Sequence, residues 1–125
     1  MELTQHYVLD TNTLIYLLGG RLAAPLPDGR YCVSIITEIE LLSCPELSDN
    51  DEQRIVKLLQ QIETIPLTDD ISRKTIQLRR NTNKLKLPDA IIAATAFVKE
   101  AILLTNDLAF SACSDLTVQS WALRE

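Results

Sequence analysis

The stretch that most constrains the fold is residues 7–18, Tyr-Val-Leu-Asp-Thr-Asn-Thr-Leu-Ile-Tyr-Leu-Leu. Its first three residues are apolar and β-prone, and the run is too short for a helix. Helix-capping residue types follow, and then the apolar face of a helix. The stretch therefore predicts a short buried strand that runs straight into a helix, with Asp10 between the two.

The position of Asp10 makes it a candidate for function. In open α/β sheets, ligands bind beyond the carboxyl ends of the strands. The alternative is that Asp10 only caps the helix that follows it. The residues of this stretch alone do not decide between the two, so the rest of the chain has to supply partners for Asp10.

The remainder of the chain alternates between strand and helix patterns. Further strands are predicted at 31–35, 63–67, 101–104 and 116–121, and helices at 37–42, from 48–50, from 68–70 and from 87 onward. Pro66 places the strand at 63–67 at a sheet edge, because proline donates no ladder hydrogen bond. The alternation predicts one α/β domain over residues 1–125, a three-layer α/β/α fold with a mostly parallel five-stranded sheet.

Composition narrows the class of protein. With 46% hydrophobic residues, a chain of 125 residues can bury a sizeable core without a metal or disulfide. We expect no signal peptide and no membrane span, because no apolar run approaches about 18 residues. The cysteines, Cys32, Cys44 and Cys113, are odd in number and far apart, which predicts reduced, half-buried thiols in a cytoplasmic protein.

Four acidic residues share one kind of position, at the end of a strand or the start of a helix: Asp10, Glu40, Asp89 and Asp107. In a parallel sheet such positions converge on one edge. Carboxylates brought together repel one another, and a hard divalent cation with oxygen ligands relieves the repulsion. The set therefore predicts a site for Mg²⁺ or Mn²⁺.

Each acid also has a simpler interpretation. Thr37-x-x-Glu40 fits a capping box, and Glu38 competes with Glu40 for the cleft, because residues two apart on a helix point nearly opposite ways. Asp89 could simply favour a helix dipole, and Asp107 could be an ordinary turn residue.

A net charge of −5 is unusual for a nucleic-acid-binding protein, although acids gathered in one cleft would lower it. A run of basic residues nevertheless leads towards Asp89: Arg73, Lys74, Arg79, Arg80, Lys84 and Lys86. One interpretation is a track for RNA phosphates, of which Arg73, Arg80, Lys84 and Lys86 are the candidate contacts. The other is a solvated helix face.

The sequence resembles PIN domains at four segments in family order: Val8–Leu14, Ser34–Leu41, Leu87–Ala94 and Leu104–Phe110. The segments span nearly the whole chain. Its size is that of the compact, VapC-like toxin ribonucleases of bacterial toxin–antitoxin pairs. One departure is that Lys84-Leu85-Lys86-Leu87-Pro88 replaces the glycine-rich approach often seen before the third acid.

This resemblance implies a Mg²⁺- or Mn²⁺-dependent endoribonuclease with a PIN-like fold. Asp10, Glu40 and Asp89 would be the metal-binding core and Asp107 the fourth acid, and the family motif selects Glu40 over Glu38. Three residues would hold the acids and the incoming phosphate in place: Thr11, Asn12 and Thr105. The resemblance further implies a small antitoxin partner and a homodimer.

Other chemistries are constrained by what the sequence contains. His6 is the one histidine, so a pair of catalytic histidines is excluded. Because His6 stands ahead of the first predicted strand, a Ser-His-Asp triad is excluded as well. A haloacid-dehalogenase-type phosphatase requires a second aspartate where Asn12 stands. A receiver domain requires paired acids after the first strand. A catalytically weak PIN fold that binds RNA or protein remains the non-enzymatic alternative.

Overall fold

The structure is a computed structural model that describes residues 4–122. Its strands are β1 (His6–Leu9), β2 (Arg30–Ser34), β3 (Glu63–Ile65), β4 (Ile102–Leu104) and β5 (Val118–Gln119). Its α-helices are α1 (Thr11–Leu18), α2 (Ile35–Leu42), α3 (Asp49–Leu59), α4 (Asp69–Asn81) and α5 (Leu87–Val98), and a 3₁₀ helix spans Leu108–Ala112.

The strands form one parallel sheet in the order β3-β2-β1-β4-β5. Leu9 pairs with Leu104, and Ser34 pairs with Ile65, so the carboxyl ends of the strands meet at one edge. The predicted fold class and the edge position of β3 are confirmed. This order differs from the 2-1-3-4-5 order of receiver domains, so that alternative is wrong.

Two apolar layers cover the sheet because successive strand residues point to opposite faces. Tyr7 and Leu9 pack on one face with buried residues of α1, α2 and α3. Val8 packs on the other face with α4 and α5. Residues 90–96 of α5 are all buried, as their apolar sequence predicts.

The basic face predicted along one helix is interrupted. Helix α4 ends at Asn81, and the backbone of Thr82 is extended. The side-chain hydroxyl of Thr82 accepts a hydrogen bond from the Lys84 N–H at 3.1 Å. Threonine and asparagine compete with helix formation in this way. Lys84 and Lys86 therefore lie on the α4–α5 connection.

All three cysteines lie within the described residues and are free; Cys32 and Cys113 are buried, and Cys44 is exposed. The prediction of uniformly half-buried thiols was therefore wrong. Burial raises the pKa of Cys32 to about 11, which keeps this thiol protonated at neutral pH. None of the helices within residues 4–122 is long and apolar enough to cross a membrane.

Gly29 provides a test of the packing between β1 and β2. A methyl group on Gly29 would lie 2.6 Å from the Gln5 carbonyl oxygen and 2.7 Å from the Tyr7 ring. Gly29→Ala is expected to lower the free energy of unfolding by about 1–3 kcal/mol, measured by urea denaturation. A methyl group on Gly19 would have its nearest neighbour 3.5 Å away. Gly19→Ala should therefore change the free energy of unfolding by less than about 0.5 kcal/mol. Equal effects would contradict this packing.

Candidate active site

Asp10 follows β1 and is the N-cap of α1. Its side chain is only 4% exposed, and both carboxylate oxygens accept hydrogen bonds. The Thr13 N–H donates to Oδ1 at 2.8 Å, and the Thr105 hydroxyl donates to Oδ2. Capping the helix and lying in a candidate site are therefore compatible, because one carboxylate does both.

Glu40 lies in the second half of α2, on the side that meets α1. The Thr11 hydroxyl donates to Glu40 Oε1 at 2.7 Å and lies 3.1 Å from the Thr37 hydroxyl. The N-cap of α2 is Ser34, whose hydroxyl accepts from the Ile36 N–H at 3.0 Å. The capping-box interpretation of Thr37 and Glu40 is therefore wrong, because Thr37 is inside the helix.

Asp89 and Asp107 lie at the starts of two further helices. Asp89 is half-buried in the first turn of α5. Asp107 is exposed and caps the 3₁₀ helix, its Oδ1 accepting from the Ala109 N–H at 2.9 Å. The Asp107 N–H donates to the Thr105 hydroxyl oxygen at 3.0 Å. Thr105 therefore connects Asp10 with Asp107 through one oxygen atom.

The charges of three of the acids act on the fourth, Asp89. The pKa of Asp89 is raised above its ordinary value of 3.8, first by burial and then by the charges of Asp107, Glu40 and Asp10. Lys86 opposes the rise. Since the other three acids all contribute, the structure brings the four predicted carboxylates to one edge of the sheet.

The donor set is suited to a hard divalent cation, because it consists of carboxylate and hydroxyl oxygens. A cation would also relieve the repulsion that raises the pKa of Asp89. As the side chains of residues 4–122 stand, no three His, Cys, Asp or Glu residues are grouped closely enough to hold one ion. Glu40 and Asp107 are exposed, which leaves them room to rotate inward.

The remaining predicted site residues differ in their surroundings. Asn12 is exposed, and its side chain forms no hydrogen bond within the part of the chain that the structure describes. Arg80, Lys84 and Lys86 are exposed, and Arg73 pairs with Asp70 at 2.9 Å. His6 is exposed at the start of β1, on the opposite edge of the sheet from the acids.

Lys74 does not belong to the basic surface that the sequence suggested. Its side chain is 9% exposed and bonds to Asp115 at 2.5 Å. Its ammonium group also lies 3.6 Å from the centre of the Phe97 ring. Lys74 therefore ties α4 to α5 and to the segment before β5.

Sequence reasoning missed two buried threonines that organise the acids. Thr13 binds Asp10 through its backbone, and its hydroxyl donates to the Leu104 carbonyl at 2.9 Å. Thr37 accompanies Thr11 beside Glu40. Thr13 could have been found from its spacing, three residues after Asp10, because an N-cap side chain accepts a hydrogen bond from the backbone N–H three positions on.

Comparison with known proteins places this geometry in context. The family model described as PIN domain matches residues 7–116, a range that contains all four acids. Ribonuclease VapC1 of Haemophilus influenzae is 29% identical, with 92% of this chain and 97% of that protein covered.

Solved structures agree with the family match. A toxin–antitoxin complex from Klebsiella pneumoniae is similar at 33% identity and a TM-score of 0.72, covering 89% of this chain and 95% of that one. VapBC-1 from nontypeable Haemophilus influenzae is similar at 28% identity and a TM-score of 0.75, covering 94% and 98%.

The raised pKa of Asp89 predicts how stability depends on pH without metal. Above pH 3.8 the unfolded chain loses the Asp89 proton before the folded protein does, so this group lowers stability as pH rises. Asp89→Asn removes the effect. At pH 7 in EDTA, the variant should be more stable than the wild type, by less than about 1 kcal/mol because the group is partly exposed.

Thermal melts between about pH 3 and pH 8 measure this difference in stability. It should shrink as pH falls below 3.8, because Asp89 becomes increasingly protonated in both the folded and the unfolded state. Glu46→Gln is the control, because Glu46 is exposed and is not among the acids that act on Asp89. A difference between Asp89→Asn and the wild type that grows as pH falls would contradict the assignment.

Proposed function

The chain belongs to the PIN-domain family, and on that premise we propose that it is a Mg²⁺- or Mn²⁺-dependent endoribonuclease. We further propose that it is the toxin of a toxin–antitoxin pair. The observation that carries the enzymatic proposal is that the charges of Asp10, Glu40 and Asp107 all raise the pKa of Asp89. The alternative of a binding module does not explain why four carboxylates are kept together at a cost.

In this proposal Asp10, Glu40 and Asp89 would hold the metal ion, and Asp107 would hold a second ion or position water. A bound divalent ion supplies activation of water and neutralises charge on the phosphate. Thr13 and Thr105 fix the direction of the Asp10 carboxylate, and Thr11 directs Glu40. Water attacks phosphorus and the P–O3′ bond breaks, which leaves a 5′-phosphate and a 3′-hydroxyl.

The RNA backbone has a candidate approach along the α4–α5 connection. Lys86 lies close enough to Asp89 to lower its pKa, and Lys84 is exposed two residues before it. Arg80 is exposed near the end of α4. Arg73 is already paired with Asp70, so we expect it to contribute least to phosphate binding.

An antitoxin partner is supported by the named toxin–antitoxin complexes among the similar structures and by a groove in this chain. A groove of about 460 Å³ runs between α1, α2 and α3. Apolar side chains line it, among them Ile15, which is 50% exposed, and it reaches Thr11 and Glu40. A partner with apolar residues in this groove could extend polar residues into the acidic cleft. Homodimerisation stays a prediction, for which sedimentation velocity is the measurement.

Cleavage of total cellular RNA tests the enzymatic proposal. The wild type with Mg²⁺ should cut RNA to products with 5′-phosphates, and EDTA should stop the reaction. Asp10→Asn should reduce cleavage by at least about 100-fold, because it removes one charge from the metal site. Its circular dichroism spectrum should be unchanged, since an amide oxygen can still accept from Thr13.

Three results would contradict the proposal. They are Mg²⁺-dependent cleavage retained by Asp10→Asn, cleavage that persists in EDTA, and hydrolysis of a simple phosphate monoester without any action on RNA. The last result would favour the phosphatase alternative. Asp49→Asn is a matched control, because Asp49 is exposed at the start of α3.

Salt dependence tests the approach of RNA. In an Asp10→Asn background, Lys84→Gln with Lys86→Gln should weaken binding of single-stranded RNA in fluorescence anisotropy. The slope of log affinity against log salt should become shallower by about 1.4, or about 0.7 for each phosphate that is no longer neutralised. Arg73→Gln, which removes one charge from a paired arginine, should change the slope by less than half of that. An equal effect per charge would contradict a directed approach.

A further inference from the structure

The segment after β5 returns to the candidate site through Trp121, the one tryptophan of the chain. Its indole Nε1–H donates to the Thr13 hydroxyl oxygen at 2.9 Å. Its ring lies against Tyr16, with ring centres 5.1 Å apart and planes tilted by 57°. Trp121 therefore contacts α1 in two ways, by a directed hydrogen bond and by ring packing.

Asn106 binds the same residue from the other side. The Trp121 N–H donates to Asn106 Oδ1 at 2.9 Å, and Asn106 Nδ2 donates to the Trp121 carbonyl at 2.8 Å. This pair of bonds imitates the exchange between two strand residues, and it uses both ends of the side-chain amide. It ties the turn after β4 to the segment after β5, beyond the point where the β4–β5 ladder ends.

These bonds close a ring around Asp10. From Oδ1 the ring passes through the Thr13 backbone and hydroxyl to the Trp121 indole, then through Asn106 to its neighbour Thr105, and back to Oδ2. The two oxygens of one buried carboxylate are thus held by the two arms of a single connected network.

We propose that Trp121 and Asn106 are positioning residues that fix the Asp10 carboxylate for metal binding. The effect on metal binding rests on the proposed function, whereas the ring of hydrogen bonds around Asp10 is a property of the folded chain. Neither residue carries a charge, so their effect on Asp10 is geometric. Neighbours that orient metal ligands commonly contribute 10- to 100-fold to metal affinity.

The direction of the Thr13 hydroxyl explains how Trp121 acts at a distance. The hydroxyl donates its proton to the Leu104 carbonyl, so its lone pairs face the indole N–H. Both bonds together select one rotamer of Thr13 and hold the first turn of α1 against β4. Without the indole bond, this turn and the N–H that it presents to Asp10 Oδ1 are held less firmly.

The test compares Trp121→Phe with Tyr16→Leu. The first removes the indole N–H and keeps an aromatic ring against Tyr16, whereas the second removes the ring contact and keeps the N–H. Hydrogen exchange of the Thr13 amide, measured by NMR without metal, reports on the ring of hydrogen bonds. Calorimetric titration with Mn²⁺ reports on the consequence. Thermal melts of both variants record any general loss of stability.

Trp121→Phe should accelerate Thr13 exchange at least tenfold and weaken Mn²⁺ binding about tenfold, whereas Tyr16→Leu should leave both near the wild-type values. Asn106→Ala should resemble Trp121→Phe in both Thr13 exchange and Mn²⁺ affinity. The cleavage rate should fall in Trp121→Phe with KM for RNA unchanged.

The inference is overturned if Trp121→Phe and Tyr16→Leu change exchange and affinity in proportion to their loss of thermal stability. It is also overturned if Trp121→Phe leaves Thr13 exchange unchanged. If the wild type binds no Mn²⁺, the proposed function fails and so does the positioning of Asp10 for metal. Hydrogen exchange of the Thr13 amide then still shows whether the ring of hydrogen bonds exists.

Discussion

The arrangement depends on one buried carboxylate with a hydrogen-bond donor on each oxygen. Asp10 is 4% exposed, and burying a charged carboxylate without partners would cost several kcal/mol. The Thr13 N–H at the start of α1 and the Thr105 hydroxyl after β4 supply those partners. The same two bonds hold α1 against the carboxyl end of the sheet, so local stability and site geometry share one set of contacts.

The other acids are placed by the parallel sheet. The carboxyl ends of neighbouring strands coincide. Asp10, Asp89 and Asp107 follow a strand or begin a helix near that edge, and Glu40 lies in the second half of α2. Bringing the acids together has an electrostatic cost, because the charges of the other three acids add to burial in raising the pKa of Asp89. Exposed Glu40 and Asp107 reduce this cost by facing water, which is consistent with a site whose carboxylates close only around a cation.

Local patterns were sufficient for most of the fold. The apolar run before Asp10 predicts strand β1, and the apolar sequence of α5 predicts that this helix is buried. Pro66, which follows β3, places that strand at the sheet edge. Asp10, Asp89 and Asp107 could be predicted because each follows a strand or begins a helix, whereas Glu40 lies further along α2 than the pattern predicted. The family resemblance then selected Glu40 over Glu38, which helix geometry alone left open.

What the sequence did not reveal depends on contacts between distant segments. The burial of Lys74 against Phe97 follows from tertiary packing, which overrides the pattern of charges. No pattern in the sequence links Thr13, Asn106 and Trp121 to one another. They meet only because β4 and β5 pair beside α1, so the sequence placed Trp121 only at the end of the last predicted strand.

Anomalous scattering from crystals grown with Mn²⁺ tests the central claim most directly. A manganese peak is expected in contact with the Asp10 and Asp89 carboxylates, with Glu40 turned inward to join them. The peak should be lost in Asp10→Asn crystals grown under the same conditions. A wild-type structure with no peak between these carboxylates, or with manganese bound only elsewhere, would contradict the account.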